Sequence, residues 1–132
     1  MTEFGGVLAA EQAKDGQALR QALSTVQVPA SVLMRLLLEN WHDLHEDLVF
    51  ELGLLGEPSA VEVIQKAVYI RFEHLVQWGN LHEFQRKCAY ALARIGTEES
   101  RAALEALARS TDPSIRKYGE ECLPKWPLPF RG

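Results

Sequence analysis

Two cysteines, six prolines and an aromatic content of 8% set the first limits on this 132-residue chain. So few cysteines cannot form the framework of a disulfide scaffold. Cys88 and Cys122 instead fall on apolar stripes described below and read as small buried hydrophobes. No apolar run approaches the ~20 residues that a bilayer span requires, and no basic segment precedes the short run Val7-Leu8-Ala9-Ala10, so a cytoplasmic protein is expected. Basic side chains are scarce at the front. Residues 1 to 60 carry three of them against nine acidic ones, and residues 61 to 132 carry eleven against nine, for a formal charge of −4. That balance argues against nucleic acid as a partner, while an acidic half suits a protein with a basic surface. Also missing is a glycine-rich phosphate loop, and Ser24, Ser31 and Ser59 have no adjacent histidine to activate them. The expectation is a chain without a catalytic residue, a cofactor or a bound metal.

What the chain does contain is one pattern written twice at an offset of 40 residues. Asn40-Trp41-His42-Asp43-Leu44 corresponds to Asn80-Leu81-His82-Glu83-Phe84, and Leu52, Leu55 and Gly56 correspond to Leu92, Ile95 and Gly96. A period near ~40 residues is the mark of stacked helix pairs, each burying its apolar face against its neighbours. Trp41, Leu44, Leu48, Leu52 and Leu55 recur at helical spacing, as do Leu81, Phe84, Cys88, Leu92 and Ile95. Both stripes read as core faces. Asn40 with Asp43 and Asn80 with Glu83 match a capping box, which predicts first helices starting at 41 and 81. Gly56 and Gly96 mark their ends, and Pro58 and Thr97 the starts of second helices over 58–78 and 98–109.

A last helix within 111–123 is predicted from Asp112 as cap, Pro113 in the first turn and the stripe Ile115, Tyr118, Cys122 and Leu123. Upstream, residues 7–25 and 30–39 read as two capping helices separated by Pro29, with Gly5-Gly6 as a flexible end. The prolines of 124–132 rule out a regular helix there, and Trp126 and Phe130 read as a cap over the last repeat or as a docking motif. The whole is expected to be one domain over 1–132: capping helices (1–39), two repeats (40–79 and 80–110), the last helix and the tail. It is all-α, with about seven helices and no strand.

The runs Ala91-Leu92-Ala93-Arg94-Ile95-Gly96, Ala102-Ala103-Leu104-Glu105-Ala106-Leu107 and Asp112-Pro113-Ser114-Ile115-Arg116 resemble the bacterial HEAT-like repeat, as does Leu52-Gly53-Leu54-Leu55-Gly56. The resemblance covers residues 40–123 and implies a right-handed α-α superhelix, a HEAT-like solenoid. It says little about function, since this family serves unrelated tasks. Small acidic proteins of this kind resemble immunity proteins of bacterial toxin systems, which implies an inhibitor that occludes a basic toxin. A regulatory or assembly scaffold is the alternative. HEAT-like folds also occur in bilin lyases and alkylpurine DNA glycosylases, but the first likeness ends at the repeat and the second wants a basic concave face.

Two sets of residues are candidates for partner binding. Glu39, Asp43, Glu46 and Asp47 lie opposite the core stripe around Phe50, facing Arg86, Lys87 and Arg94 around Tyr90 on the next repeat. They form either a docking surface anchored by Phe50 or inter-repeat ion pairs, Glu46 with Arg86 and Asp47 with Lys87. Glu62, Tyr69 and Glu73 lie along the unusually long second helix, where second helices of such solenoids line the concave surface; Trp78 either joins them or fills the link before Asn80. A third constellation, His42, His45 and Glu46, resembles the iron-binding element of deoxyhypusine hydroxylase and would make the chain a metal-dependent enzyme. The second repeat breaks that pattern: Gln85 and Arg86 stand where His45 and Glu46 do, and His82 falls in the register of His42, at the rim of its helix.

Overall fold

The computed structural model describes residues 5–128. Nine α-helices follow one another among them: α1 Gly5–Ala13, α2 Gly16–Leu23, α3 Ala30–Leu37, α4 His45–Leu55, α5 Ala60–Ala67, α6 Glu73–Trp78, α7 Leu81–Ile95, α8 Glu98–Ala108 and α9 Pro113–Cys122. A 3₁₀ turn over Leu123–Lys125 ends the series, and no strand occurs among the described residues.

The helices form two rows, as expected of stacked pairs. α4, α7 and α9 lie side by side in one, with α3, α5 and α8 in the other, and α5 and α8 both pack on α7 across the layer. Between the rows sit Leu36, Leu52, Ile64, Phe84, Leu92 and Leu104, all fully buried. Each such side chain contributes about 1.5–3 kcal/mol on leaving water. This is a HEAT-like, all-α solenoid, and its repeat-to-repeat seam is the α4–α7 contact.

Several terminators follow the sequence directly. Gly56 and Gly96 close α4 and α7 in the left-handed region, with φ of 65° and 72°. Thr97 and Ser100 form a reciprocal capping box at α8. The Asp112 carboxylate accepts from the Ser114 and Ile115 N–H groups at 3.0 and 3.2 Å, with Pro113 in the first turn of α9.

Other boundaries differ. The segment expected as one helix over 7–25 is two, because Lys14 turns with a positive φ of 54° and Asp15 caps α2 through Ala18 N–H. Gly5 and Gly6 belong to α1 and not to a flexible end. Neither asparagine capping box forms: α4 begins four residues late at His45, and the Asn80 side chain makes no cap bond, reaching the Glu46 carboxylate instead at 3.5 Å.

Of the predicted core face on α4, Leu44, Leu48 and Leu52 are buried, but Leu55 is 42% exposed at the helix end. The helix expected over 58–78 starts at Ala60 and breaks after Ala67. Turn bonds from Tyr69 N–H to Lys66 O and from Ile70 N–H to Ala67 O replace the α pattern there, and buried Phe72 restarts the chain as the short α6.

The tail lies against the α7–α8 junction. Trp126 Nε1 donates to Thr97 O and Ser100 Oγ, both at 3.1 Å, and Leu128 N–H to Ala93 O at 2.9 Å. Of the two expected cap residues, Trp126 is thus a covering group, while Phe130 lies outside the described residues.

Candidate protein-docking face

The acidic residues of the first repeat are dispersed among different tasks. Glu39 accepts a hydrogen bond from Trp41 Nε1 at 2.7 Å, and Asp43 pairs with Arg20 of α2 at 2.6 Å. Glu46 pairs across the α4–α7 seam with Lys87 at 3.0 Å. The expected partners of Glu46 and Asp47 are therefore shifted by one position: Arg86 turns instead toward α9, where Glu121 receives both Arg86, at 2.9 Å, and the Tyr90 hydroxyl, at 2.8 Å. These bonds to Arg86 and Tyr90 hold the Glu121 carboxyl below its ordinary pKa.

Asp47 is left over. It is exposed and makes no ion pair among the described residues, and neither does Glu51, one turn on. Phe50, 45% exposed, stands between them on the same helix, with the Arg94 guanidinium 5.7 Å from its ring centroid.

Glu51 was not among the residues singled out from sequence. Its spacing of four from Asp47 was the available signal. A cavity of about 640 Å³ opens beside these two carboxylates, between α2, the non-helical link 25–29, α3 and α4. Leu23, Val26, Leu33 and Leu48 line its apolar part, and Asp47 and Glu51 its α4 side. No residue pattern in 7–39 signals the cavity, which forms only where the link 25–29 and α2 are set against α3 and α4.

Glu62, Tyr69 and Glu73 do not join this face. They belong to α5, the turn after it and α6, and α5 lies in the other helix row. Glu62 is exposed beside Lys66 at 3.9 Å, Glu73 is exposed, and Tyr69, 51% exposed, donates its hydroxyl to Ser110 Oγ at 3.1 Å. Trp78, 56% exposed, meets His74 edge-on at a centroid distance of 5.2 Å.

Three histidines explain why α4 starts late. His42 Nε2 faces Leu36 O at 2.7 Å, and its Nδ1 faces Leu44 N–H at 3.1 Å. A carbonyl only accepts and an amide only donates, so the ring is neutral with its proton on Nε2. His45 repeats the logic: Nε2 donates to Glu39 O, and Nδ1 accepts from His74 Nε2 at 3.4 Å. The His45 ring lies stacked between His42, at 4.2 Å, and Phe72, at 3.7 Å.

Burial pushes the His45 pKa down to about 3, against the opposing effect of the Glu39 carbonyl, and lowers those of His42 and His74 as well. An iron reading would require ring nitrogens that here hold the loop 39–45 to the helices around it. The aligned His82 is exposed at the start of α7. Both cysteines are free and buried, and burial raises the Cys122 thiol to about 12, far from a thiolate nucleophile.

The two rows of paired helices, with one ion pair across the α4–α7 seam, have the architecture of a helical-repeat solenoid. The comparison with known families agrees: residues 84–110, which run from within α7 to just past α8, match the model for the PBS lyase HEAT-like repeat. The chain thus carries a HEAT-like repeat, a module whose general use is protein–protein interaction or scaffolding and not catalysis. No curated protein and no solved structure matches it. Among the described residues, no helix is long and apolar enough to cross a membrane.

Proposed function

We propose that this chain is a non-catalytic binding module that docks a basic protein through the exposed face of α4, and that it acts as an inhibitor or immunity protein by occluding that partner. The observation that carries the reading is the pair Asp47 and Glu51, flanking Phe50, neither of which is in an ion pair among the described residues. In an interface, a half-exposed aromatic provides the desolvated anchor and unpaired charges around it provide steering and selectivity. Glu39, Asp43 and Glu46 contribute field but not contacts, since their carboxylates already have partners. Glu62, Tyr69 and Glu73 fall outside this face.

The test is co-expression with the proteins encoded beside this chain, followed by purification through a tag on it. A basic protein should co-purify, its toxicity or activity should be suppressed, and Asp47→Lys with Glu51→Lys should release it without changing the melting temperature of this chain. Failure of any neighbouring product to bind would end the inhibitor reading. Binding that survives the charge reversal would move the interface away from α4.

A further inference from the structure

We infer that the cavity between α2, the link 25–29, α3 and α4 is a peptide site, and that its occupant is an extended basic segment of the protein partner. This rests on the reading of α4 given above and specifies what α4 holds. Three observations converge on such a ligand. First, part of the lining is apolar, through Leu23, Val26, Leu33 and Leu48, so it can take an apolar side chain beside its polar part. Second, the α4 side carries Asp47 and Glu51, while the one cation in the lining, Arg20, is held by Asp43. A ligand that fills this space can place its positive charge against Asp47 and Glu51, neither of which is in an ion pair among the described residues.

Third, the link 25–29 that also lines the cavity is non-helical. Val26, Gln27 and Val28 are non-helical, and their N–H and C=O groups have no backbone partner among the described residues. Unpaired backbone beside an apolar trough is what an extended peptide recognises, pairing its own amides along the edge while alternate side chains point inward. A lysine or arginine next to the inward apolar residue has a stem long enough to reach Asp47 or Glu51. A small organic cation or a lipid headgroup would use the charge and the trough but not the backbone edge.

A random peptide library displayed on phage, selected on the intact protein, tests the assignment without presupposing a sequence. The enriched peptides should combine Lys or Arg with aliphatic or aromatic residues. The best synthetic peptide should bind at least tenfold more weakly to the Asp47→Lys, Glu51→Lys protein, a loss of about 1.4 kcal/mol. N-methylation of its backbone amides should weaken binding to the unaltered protein by a similar factor. In methyl NMR, the Leu33, Leu44 and Leu48 signals should shift on titration.

Selection of peptides without basic residues, or equal binding of the N-methylated peptide, would overturn the peptide site. So would equal binding by spermine or by vesicles of anionic or zwitterionic lipid. Binding that depends on Asp47 and Glu51 but perturbs only Phe50 and Leu54 would overturn the cavity while leaving the α4 docking face standing. Indifference of every selected peptide to the charge reversal would overturn both.

Discussion

Lowering the pH should weaken this protein well before its carboxylates are exhausted, and the buried imidazole of His45 sets the size of the effect. Its pKa falls from 6.5 to about 3 on folding because the stacked ring is buried, and the hydrogen bond to Glu39 O opposes that shift without cancelling it. Between those two values the unfolded chain binds the proton and the folded chain does not, so stability is fully present above pH 6.5 and falls as the pH drops below it. From about pH 8 to pH 5 the loss from this ring alone is about 2 kcal/mol. For a chain of this size that lowers the melting temperature by roughly 6–10 °C.

His42 and His74 are shifted down by burial too and add in the same direction. The Asp43, Glu39 and Glu46 carboxylates near those rings oppose the shift without cancelling it. The assay is urea unfolding at a series of pH values, for the wild type and for His45→Gln, which keeps a donor for Glu39 O but cannot take up a proton. The variant should lose about 2 kcal/mol of the wild type's pH dependence over that range. Parallel curves would refute the reasoning. Should the variant not fold, NMR of the wild type decides: a His45 ring titrating near 6.5 would be equally fatal.

Three further outcomes follow from the helix ends and the seam. Gly119→Ala should destabilise the last repeat by about 3 kcal/mol in chemical denaturation, since an added Cβ would stand 2.4 Å from Ala108 N and 2.7 Å from Leu107 C, backbone atoms that cannot swing aside. Thr97→Ala removes the acceptor for Ser100 N–H and half of the α8 capping box, and should cost about 1 kcal/mol, read as a shift in the urea midpoint at unchanged slope. A double-mutant cycle with Glu46→Gln and Lys87→Met should give a coupling of about 0–1 kcal/mol that declines with added salt, and Asp47→Asn with Lys87→Met should give none.

The fold was legible wherever the local signal and the tertiary demand coincided. The stripe Leu81, Phe84, Cys88, Leu92 and Ile95 is buried throughout, Thr97 and Asp112 cap as their chemistry suggests, and both repeat glycines turn left-handed. Boundaries were lost where a side chain had a stronger use elsewhere. Asn40 and Asp43 spell a capping box, yet Asp43 serves Arg20, and His42 fastens the loop to Leu36 O, so the helix cannot begin until His45. The same competition broke the second helix: Phe72 is needed against the His45 ring, and a continuous helix from 58 would not deliver it there. Helical periodicity does not register a ring that must stack on a residue 27 positions away in the chain.

The candidate site shows the same asymmetry, and it bears on how the acidic half works. Sequence gave the charge and the helix but not the division of labour among the carboxylates. That division depends on which cations the fold brings near. Glu46 meets Lys87 only because α4 and α7 stack, and Asp43 meets Arg20 only because α2 folds back across the loop. Once those pairs are made, the charge still available to a partner lies on consecutive turns of one helix, at Asp47 and Glu51, beside the trough that α2 and α3 complete. The N-terminal helices are therefore more than an end cap. They neutralise part of the acidic loop through Arg20, and with the link 25–29 they line a cavity whose two carboxylates belong to the first repeat.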